Sequence, residues 1–229
     1  MRNGMKIFDT DTHVGPSAET LRPHLSQKLL QLVPDVDSRV REVKIGWAGE
    51  TYQPPYRHRF NFADRQGWSK NKPRRLGDAG PNENAERHFQ HFMGVTFPSY
   101  GGADEDSAAR LRDMDTEGVD VHFIVSVGGV GHSDPEIEME FIRAQHRYLH
   151  EFCGRDTRRL KSCLSVGPMS IQGSVEEINR WGKEPWVVAV HPSLPLDYPL
   201  DHPDLHPIWE AAQKHNLAVI HHSLAWGYP

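Results

Sequence analysis

Cysteine is nearly absent: the 229 residues hold two, Cys153 and Cys163, ten apart and outside any CxxC pair. A disulfide framework is therefore not expected, and a reducing, cytoplasmic setting is. Long apolar runs are missing too. The longest, such as Trp186 to Val190, are far too short to span a bilayer. The opening MRNGMKIFDTDTH lacks the apolar stretch of a signal peptide. There is no excess of positive charge: 26 Lys and Arg stand against 31 Asp and Glu, a net charge of −5. No nucleic-acid or membrane partner is expected on that balance. The first predicted strand is followed by no glycine-rich phosphate loop, which weakens a dinucleotide-binding reading. Internal repeats and low-complexity tracts are also absent.

Histidine, by contrast, is abundant, at 15 residues. Histidine-rich chains often bind metal, so the spacing of these residues has to carry the argument. A short strand is predicted at KIFD (Lys6 to Asp9). A long irregular stretch follows, from about Val14 to Asp104, rich in Pro, Gly, aromatics and charge. Regular alternation then begins. A helix is predicted over Ser107 to Glu117, with Gly118 just past its end. A β-branched strand follows over Val119 to Val127. Asp134 and Pro135 start a helix whose apolar stripe is Ile137, Phe141, Ala144, Tyr148 and Phe152. Strands at Leu160 to Val166 and Trp186 to His191 flank a short helix, for which Ser174 and Glu177 form a capping box. Asp204 begins the next helix, with Leu205, Ile208, Trp209 and Ala212 at helical spacing. LAVIHH (Leu217 to His222) is the last strand.

Apolar strands without clean alternation, separated by single helices at about 30-residue intervals, point to a parallel α/β sheet. A doubly wound sheet and a TIM barrel both satisfy this pattern. The chemistry sits at two strand ends. Asp9, Asp11 and His13 in DTDTH point the same way if the strand alternates regularly. A carboxylate and an imidazole two residues apart can then reach one divalent cation. The bland alternative is a polar turn. His221 and His222 end the last strand, and the alternative there is a solvated end. If the sheet closes as a barrel, both ends converge on one point at its C-terminal face. Asp115, Asp120 and His122 fall away from that end and are read as structural.

Four stretches together resemble the amidohydrolase-related family that includes aminocarboxymuconate semialdehyde decarboxylase and the resorcylate-type decarboxylases. IFDTDTH resembles its first strand, which ends in H-x-H, E-x-H or D-x-H. RLRDMDTEGVDVHFIVSV (Arg110 to Val127) resembles its R-x-x-x-M-D-x-x-G-V-D segment. WVVAVHPS resembles its fourth strand. HPDLHPIWEAAQKHNLAVIHH resembles D-P-x-x-x-P-x-W-E-A-A-x-x-x-x-L-P-V-x-x-H. The resemblance implies one domain over 1–229, a TIM-type (β/α)8 metal-dependent hydrolase barrel that is incomplete here. About five of eight strands are present, with an insertion or lid at 14–104. A barrel of this type needs about 250 residues, so a truncated chain is expected.

The resemblance further implies a divalent metal, Zn or Mn, held by Asp11, His13 and His222, with His221 as the fallback ligand. The carboxylate at position 11 tilts the choice toward Mn. The family's acid/base histidine and last ligand aspartate would follow Pro229. Asp9 is a candidate partner orienting His13, and His191 a candidate lining residue. In the insertion, seven Lys and Arg and one acid lie between Arg57 and Arg75 among aromatics. Arg57 and Arg59 are candidates for carboxylate recognition. The expected function is decarboxylation or hydrolysis of a small carboxylated, aromatic substrate. Amide or lactone hydrolysis and a non-catalytic ligand-binding barrel are the alternatives. A homo-oligomer, dimer or tetramer, is the expected assembly.

Overall fold

The computed structural model describes residues 3–44, 56–62, 105–126, 131–194 and 198–222. These form β1 (Phe8–Val14), α1 (Ala18–Leu21), α2 (Gln27–Leu32), β2 (Val40–Lys44) and β3 (Tyr56–Phe60). Then come α3 (Ser107–Glu117), β4 (Val121–Ser126), α4 (Pro135–Gly154), β5 (Leu160–Val166), α5 (Ile171–Trp181), β6 (Val187–Pro192), α6 (His206–Lys214) and β7 (Ala218–Val219).

Where capping signals are local, the predicted ends hold. The Asp106 carboxylate accepts from the Ala108 amide at the start of α3, and Gly118 ends it at φ 78. That left-handed turn suits a residue without a β-carbon. The Asp134 carboxylate accepts from the Glu136 and Ile137 amides, with Pro135 in the first turn of α4. One cap and one helix start differ from expectation. Helix α5 starts at Ile171 with Ser170 as its cap, its hydroxyl accepting from Gly173. Ser174 instead bonds the Gly167 backbone, and Glu177 is buried. The helix expected to begin at Asp204 starts there only as a 3₁₀ turn over Pro203–Leu205, capped by His202 Nδ1 accepting from the Asp204 amide; α6 follows from His206.

Five strands pair in parallel in the order β1-β4-β5-β6-β7, with no reversal along the sheet. A doubly wound sheet reverses its order and takes helices on both faces. Here α4, α5 and α6 pack on one side through Phe141, Tyr148, Leu149, Ile178, Ile208 and Ala212. This is the arc of a TIM-type barrel. The edge strands β1 and β7 leave Phe8 and Val219 exposed. At its edge, β7 pairs with β6 only at Ala218 and Val219, although Ile220 still donates to the Val190 carbonyl. LAVIHH thus forms a shorter ladder than predicted, with β6 as its neighbour among the described residues.

The stretch after β1 is less irregular than expected. Its described residues include two short helices and an antiparallel β2–β3 hairpin. Leu21, Leu29, Val36, Phe60 and Phe62 join the main core. The Phe62 ring sits 4.4 Å from that of Phe141 on α4, and the Ser26 hydroxyl donates to Glu140 at 2.6 Å.

His122 pairs in register with Leu160 on the helix side of the sheet and is 4% exposed. Neither of its ring nitrogens has a hydrogen-bond partner among the described residues. Burial, aided by the Arg110 charge, pushes its pKa down to about 4. The unfolded chain takes up this proton near pH 6.5 and the folded chain only near 4. Stability from this residue is therefore complete above pH 6.5 and is lost as pH falls toward 4, by about 3 kcal/mol. Urea unfolding at pH 7 and pH 4.5 should show this slope, and His122→Leu should flatten it. An equal slope in both proteins would assign the acid sensitivity elsewhere.

Candidate metal centre

The site is built at the C-terminal ends of the two edge strands. Strand β1 runs through Val14, five residues past the predicted end, and so carries the whole DTDTH sequence. Its register against β4 shifts between Asp9, opposite His122, and Thr12, opposite Ile124. Three steps along β1 thus match two along β4, which makes a β-bulge. His122 and Ile124 share a face of β4, so Asp9 and Thr12 face the helix layer, while Asp11 and His13 face the other way. This corrects the expectation that Asp9, Asp11 and His13 point together; regular alternation fails at the bulge. The Asp9 carboxylate accepts from the Asp11 amide at 3.1 Å and lies 3.8 Å from His122 Nε2. It makes no hydrogen bond to the His13 ring.

Asp11, His13 and His222 converge. Asp11 Oδ1 lies 2.8 Å from His222 Nε2 and 3.8 Å from His13 Nε2. The two rings meet edge-on at 4.9 Å. One donor atom from each of the three lies within 4.8 Å of the others. Adjacent donors around an ion held at about 2.1 Å are roughly 3.3 Å apart, so small side-chain rotations suffice. The edge strands of a flat five-stranded sheet would stand about 19 Å apart. Side chains from those strands touch here because the sheet curls as a barrel wall does.

The chemistry of the donors fits a divalent cation. His13 Nε2 is buried and has no hydrogen-bond partner among the described residues, a state a metal–nitrogen bond would relieve. Burial lowers the His13 pKa, against the opposing pull of Asp11, so at neutral pH its ring is an unprotonated donor. His191, at the end of β6, approaches the His222 carbonyl through Nε2 at 3.3 Å. Burial lowers its pKa as well, partly offset by that hydrogen bond.

His221 is exposed and outside the donor group. Arg59, on β3, reaches back to β1: a β-carbon added at Gly15 would lie 2.5 Å from its guanidinium carbon. The backbone of Arg57 lies on the same strand, and its side chain lies outside the described residues. Two contacts go beyond the sequence reading, which places Arg110 only in the family-like segment and Glu177 only in a capping box. Arg110 on α3 donates to the Thr12 hydroxyl at 3.1 Å and to the His13 carbonyl at 2.8 Å. His146 and Glu177 form a buried pair at 2.7 Å in the helix layer. A search limited to local patterns could flag neither, because each links distant parts of the chain.

Comparison with known proteins places this geometry in context. A family profile described as Amidohydrolase matches residues 90–229. No curated protein sequence matches the chain. Among solved structures, an amidohydrolase from Mycobacterium avium subsp. paratuberculosis K-10 is similar at TM-score 0.61 and 17% identity, over 97% of this chain and 59% of that one. The 5-carboxyvanillate decarboxylase of Novosphingobium aromaticivorans DSM 12444, complexed with manganese and 4-hydroxy-3-methoxy-5-nitrobenzoic acid, gives TM-score 0.54 at 15% identity, over 95% and 50%. That of Sphingomonas paucimobilis gives 0.52 at 15% identity, over 94% and 51%. The chain thus spans between 50% and 59% of the length of these structures. Among the described residues no helix is long and apolar enough to cross a membrane.

Proposed function

Since the chain belongs to the amidohydrolase family, we propose that Asp11, His13 and His222 hold a divalent metal, manganese or zinc, in a site that decarboxylates a small aromatic carboxylate. The observation carrying this reading is the convergence of three donor atoms within 4.8 Å from strands at opposite edges of the sheet. The manganese bound in one of the similar decarboxylase structures supports the choice of ion. So does the carboxylate of Asp11, a hard donor that suits Mn²⁺. When bound, the metal supplies Lewis acidity for substrate oxygens.

The residues of this chain then bind and orient. Arg59 faces the substrate carboxylate, and His191 lines the site beside His222. In the reaction the bond between ring carbon and carboxylate breaks. Its electron pair stays on the carbon, which takes up a proton, and carbon dioxide leaves. Incubating the metal-loaded protein with a panel of hydroxylated aromatic acids in D₂O tests this. Carbon dioxide release with one deuterium on the product carbon is expected. Turnover of amides or lactones without carbon dioxide would replace decarboxylation by hydrolysis. A metal-free protein with a normal fold would point to a ligand-binding barrel.

The packing of Gly15 against Arg59 allows a second test. The atoms nearest a β-carbon at 15 are the end of the flexible Arg59 side chain, so alanine should displace the guanidinium at a stability cost below about 1 kcal/mol. Gly15→Ala should raise KM for the carboxylate about tenfold or more with little change in melting temperature, as should Arg59→Met. An unchanged KM in both would remove Arg59 from substrate recognition.

A further inference from the structure

The β1 bulge leaves Thr10 and Asp11 out of the register with β4, and their backbone groups must find partners elsewhere. The Asp11 amide finds the Asp9 carboxylate, at 3.1 Å. Just past the bulge, where His13 is back in register with Val125, its carbonyl accepts from Arg110 Nη2 at 2.8 Å while Nη1 donates to the Thr12 hydroxyl at 3.1 Å. Thr12 sits between the two proposed ligands and points to the opposite side of the strand. One guanidinium therefore grips the chain from behind, through Thr12 and His13, while Asp11 and His13 face the site.

The grip is rigid for local reasons. Arg110 lies in the first turn of α3, which is capped at Asp106 and Gly118 and anchored by fully buried Met114. The connection after α3 is tied to the start of β1. Asp120 and Val121 donate to the Ile7 carbonyl, and the Ile7 amide donates to the Asp120 carboxylate. The planar guanidinium offers two parallel donors, which a lysine ammonium cannot reproduce.

We infer that Arg110 is a positioning residue for the metal centre: its fork on Thr12 and the His13 carbonyl holds the bulge that turns Asp11 and His13 toward the ion. This rests on the proposed metal site at Asp11, His13 and His222. Charge and positioning predict opposite signs. If Arg110 acted only as a nearby positive charge, removing it would tighten cation binding. If it positions the ligands, removing it loosens binding about 10- to 100-fold, the scale of other supporting contacts behind metal ligands.

The test is Mn²⁺ and Zn²⁺ affinity by competition with a chelating dye on the 229-residue protein, paired with melting of the metal-free protein. Arg110→Gln and Arg110→Lys should both weaken binding 10- to 100-fold, although lysine keeps the charge. Thr12→Val keeps the strand-favouring branched side chain and removes one of the two grips. It should weaken binding several-fold with an unchanged metal-free melting curve, so the inference stays testable should the arginine variants fail to fold. Arg159→Gln is the control, because Arg159 bonds Val119, Asp120 and Asp115 at the other end of the strand. It should lower melting without changing affinity. Wild-type affinity in the Arg110 and Thr12 variants, or tighter binding in Arg110→Gln, would overturn the inference while the metal site stands. Equal metal binding by wild type and Asp11→Asn would instead remove the site itself, and the inference with it.

Discussion

The Asp11→Ala/His13→Ala variant should lose stoichiometric manganese and zinc and keep its fold. Two of the three donors lie on β1 and the third just past β7, and this double change removes both on β1, leaving a lone histidine at 222. A single imidazole does not retain a divalent ion against water. Catalysis that depends on the metal should fall by about 10³-fold or more, since Lewis-acid stabilisation contributes several kcal/mol to such reactions. The fold should tolerate the change. The Asp11 side chain is 65% exposed, and the His13 nitrogen it faces makes no hydrogen bond that folding would lose. Metal analysis by mass spectrometry and unfolding of the metal-free protein check both halves. His222→Ala should behave alike. One ion per chain in the double variant would sink the assignment.

The largest expected effect on stability lies in the helix layer. Glu177 should be the most sensitive polar position there, with Glu177→Ala costing about 3–5 kcal/mol. Its carboxylate lies 2.7 Å from His146 Nδ1, accepts from Trp181 Nε1 at 2.9 Å and faces Arg143 Nε at 3.5 Å. On the far side of the fully buried His146 ring, Nε2 accepts from the Ser165 amide at 3.0 Å, which fixes the Nδ1–H tautomer. Two donors thus converge on one buried carboxylate with the Arg143 charge beside it, and alanine would strand His146 and Trp181, while Arg143 keeps Glu140 and Glu176. Burial opposes ionisation of Glu177, yet the bonds from His146 and Trp181 and the Arg143 charge outweigh it and hold the carboxyl below its ordinary range. Stability from this group is present above the unfolded carboxyl range, near 4.5, and is lost as pH falls through the lower folded value. Glu177→Gln keeps the shape but sets an amide donor against a donor, so a cost of about 1–3 kcal/mol is expected. Urea midpoints with unchanged slopes would measure both. A loss under 1 kcal/mol in Glu177→Ala would show the network to be water-filled.

These two sites differ in how far they can be read without coordinates. D-x-H at one strand end and His-His at another are visible as strings, and the choice of His222 over His221 follows from the family resemblance. The distance between them is not visible, because it depends on how strongly five strands curl. Glu177 is visible only as one half of a capping box, a local reading that the 31-residue link to His146 displaces. Asp9 is misjudged for a related reason. Alternation along a strand is a local rule, and a bulge is a property of a strand pair.

The order of helices and strands from Ser107 onward is written in the chain itself. Asp106, Gly118 and Asp134 bound their helices through bonds to residues two to four positions away, and apolar spacing chooses the buried faces. The membership of residues 90–229 in the amidohydrolase family rests on the same linear information. Strand order without reversal, the bulge that separates Asp9 from Asp11, the grip of Arg110 on β1 and the meeting of Asp11 with His222 belong to the tertiary structure alone. Each joins residues dozens to two hundred positions apart, and such contacts are set by the curvature and packing of the whole sheet rather than by any neighbouring side chain.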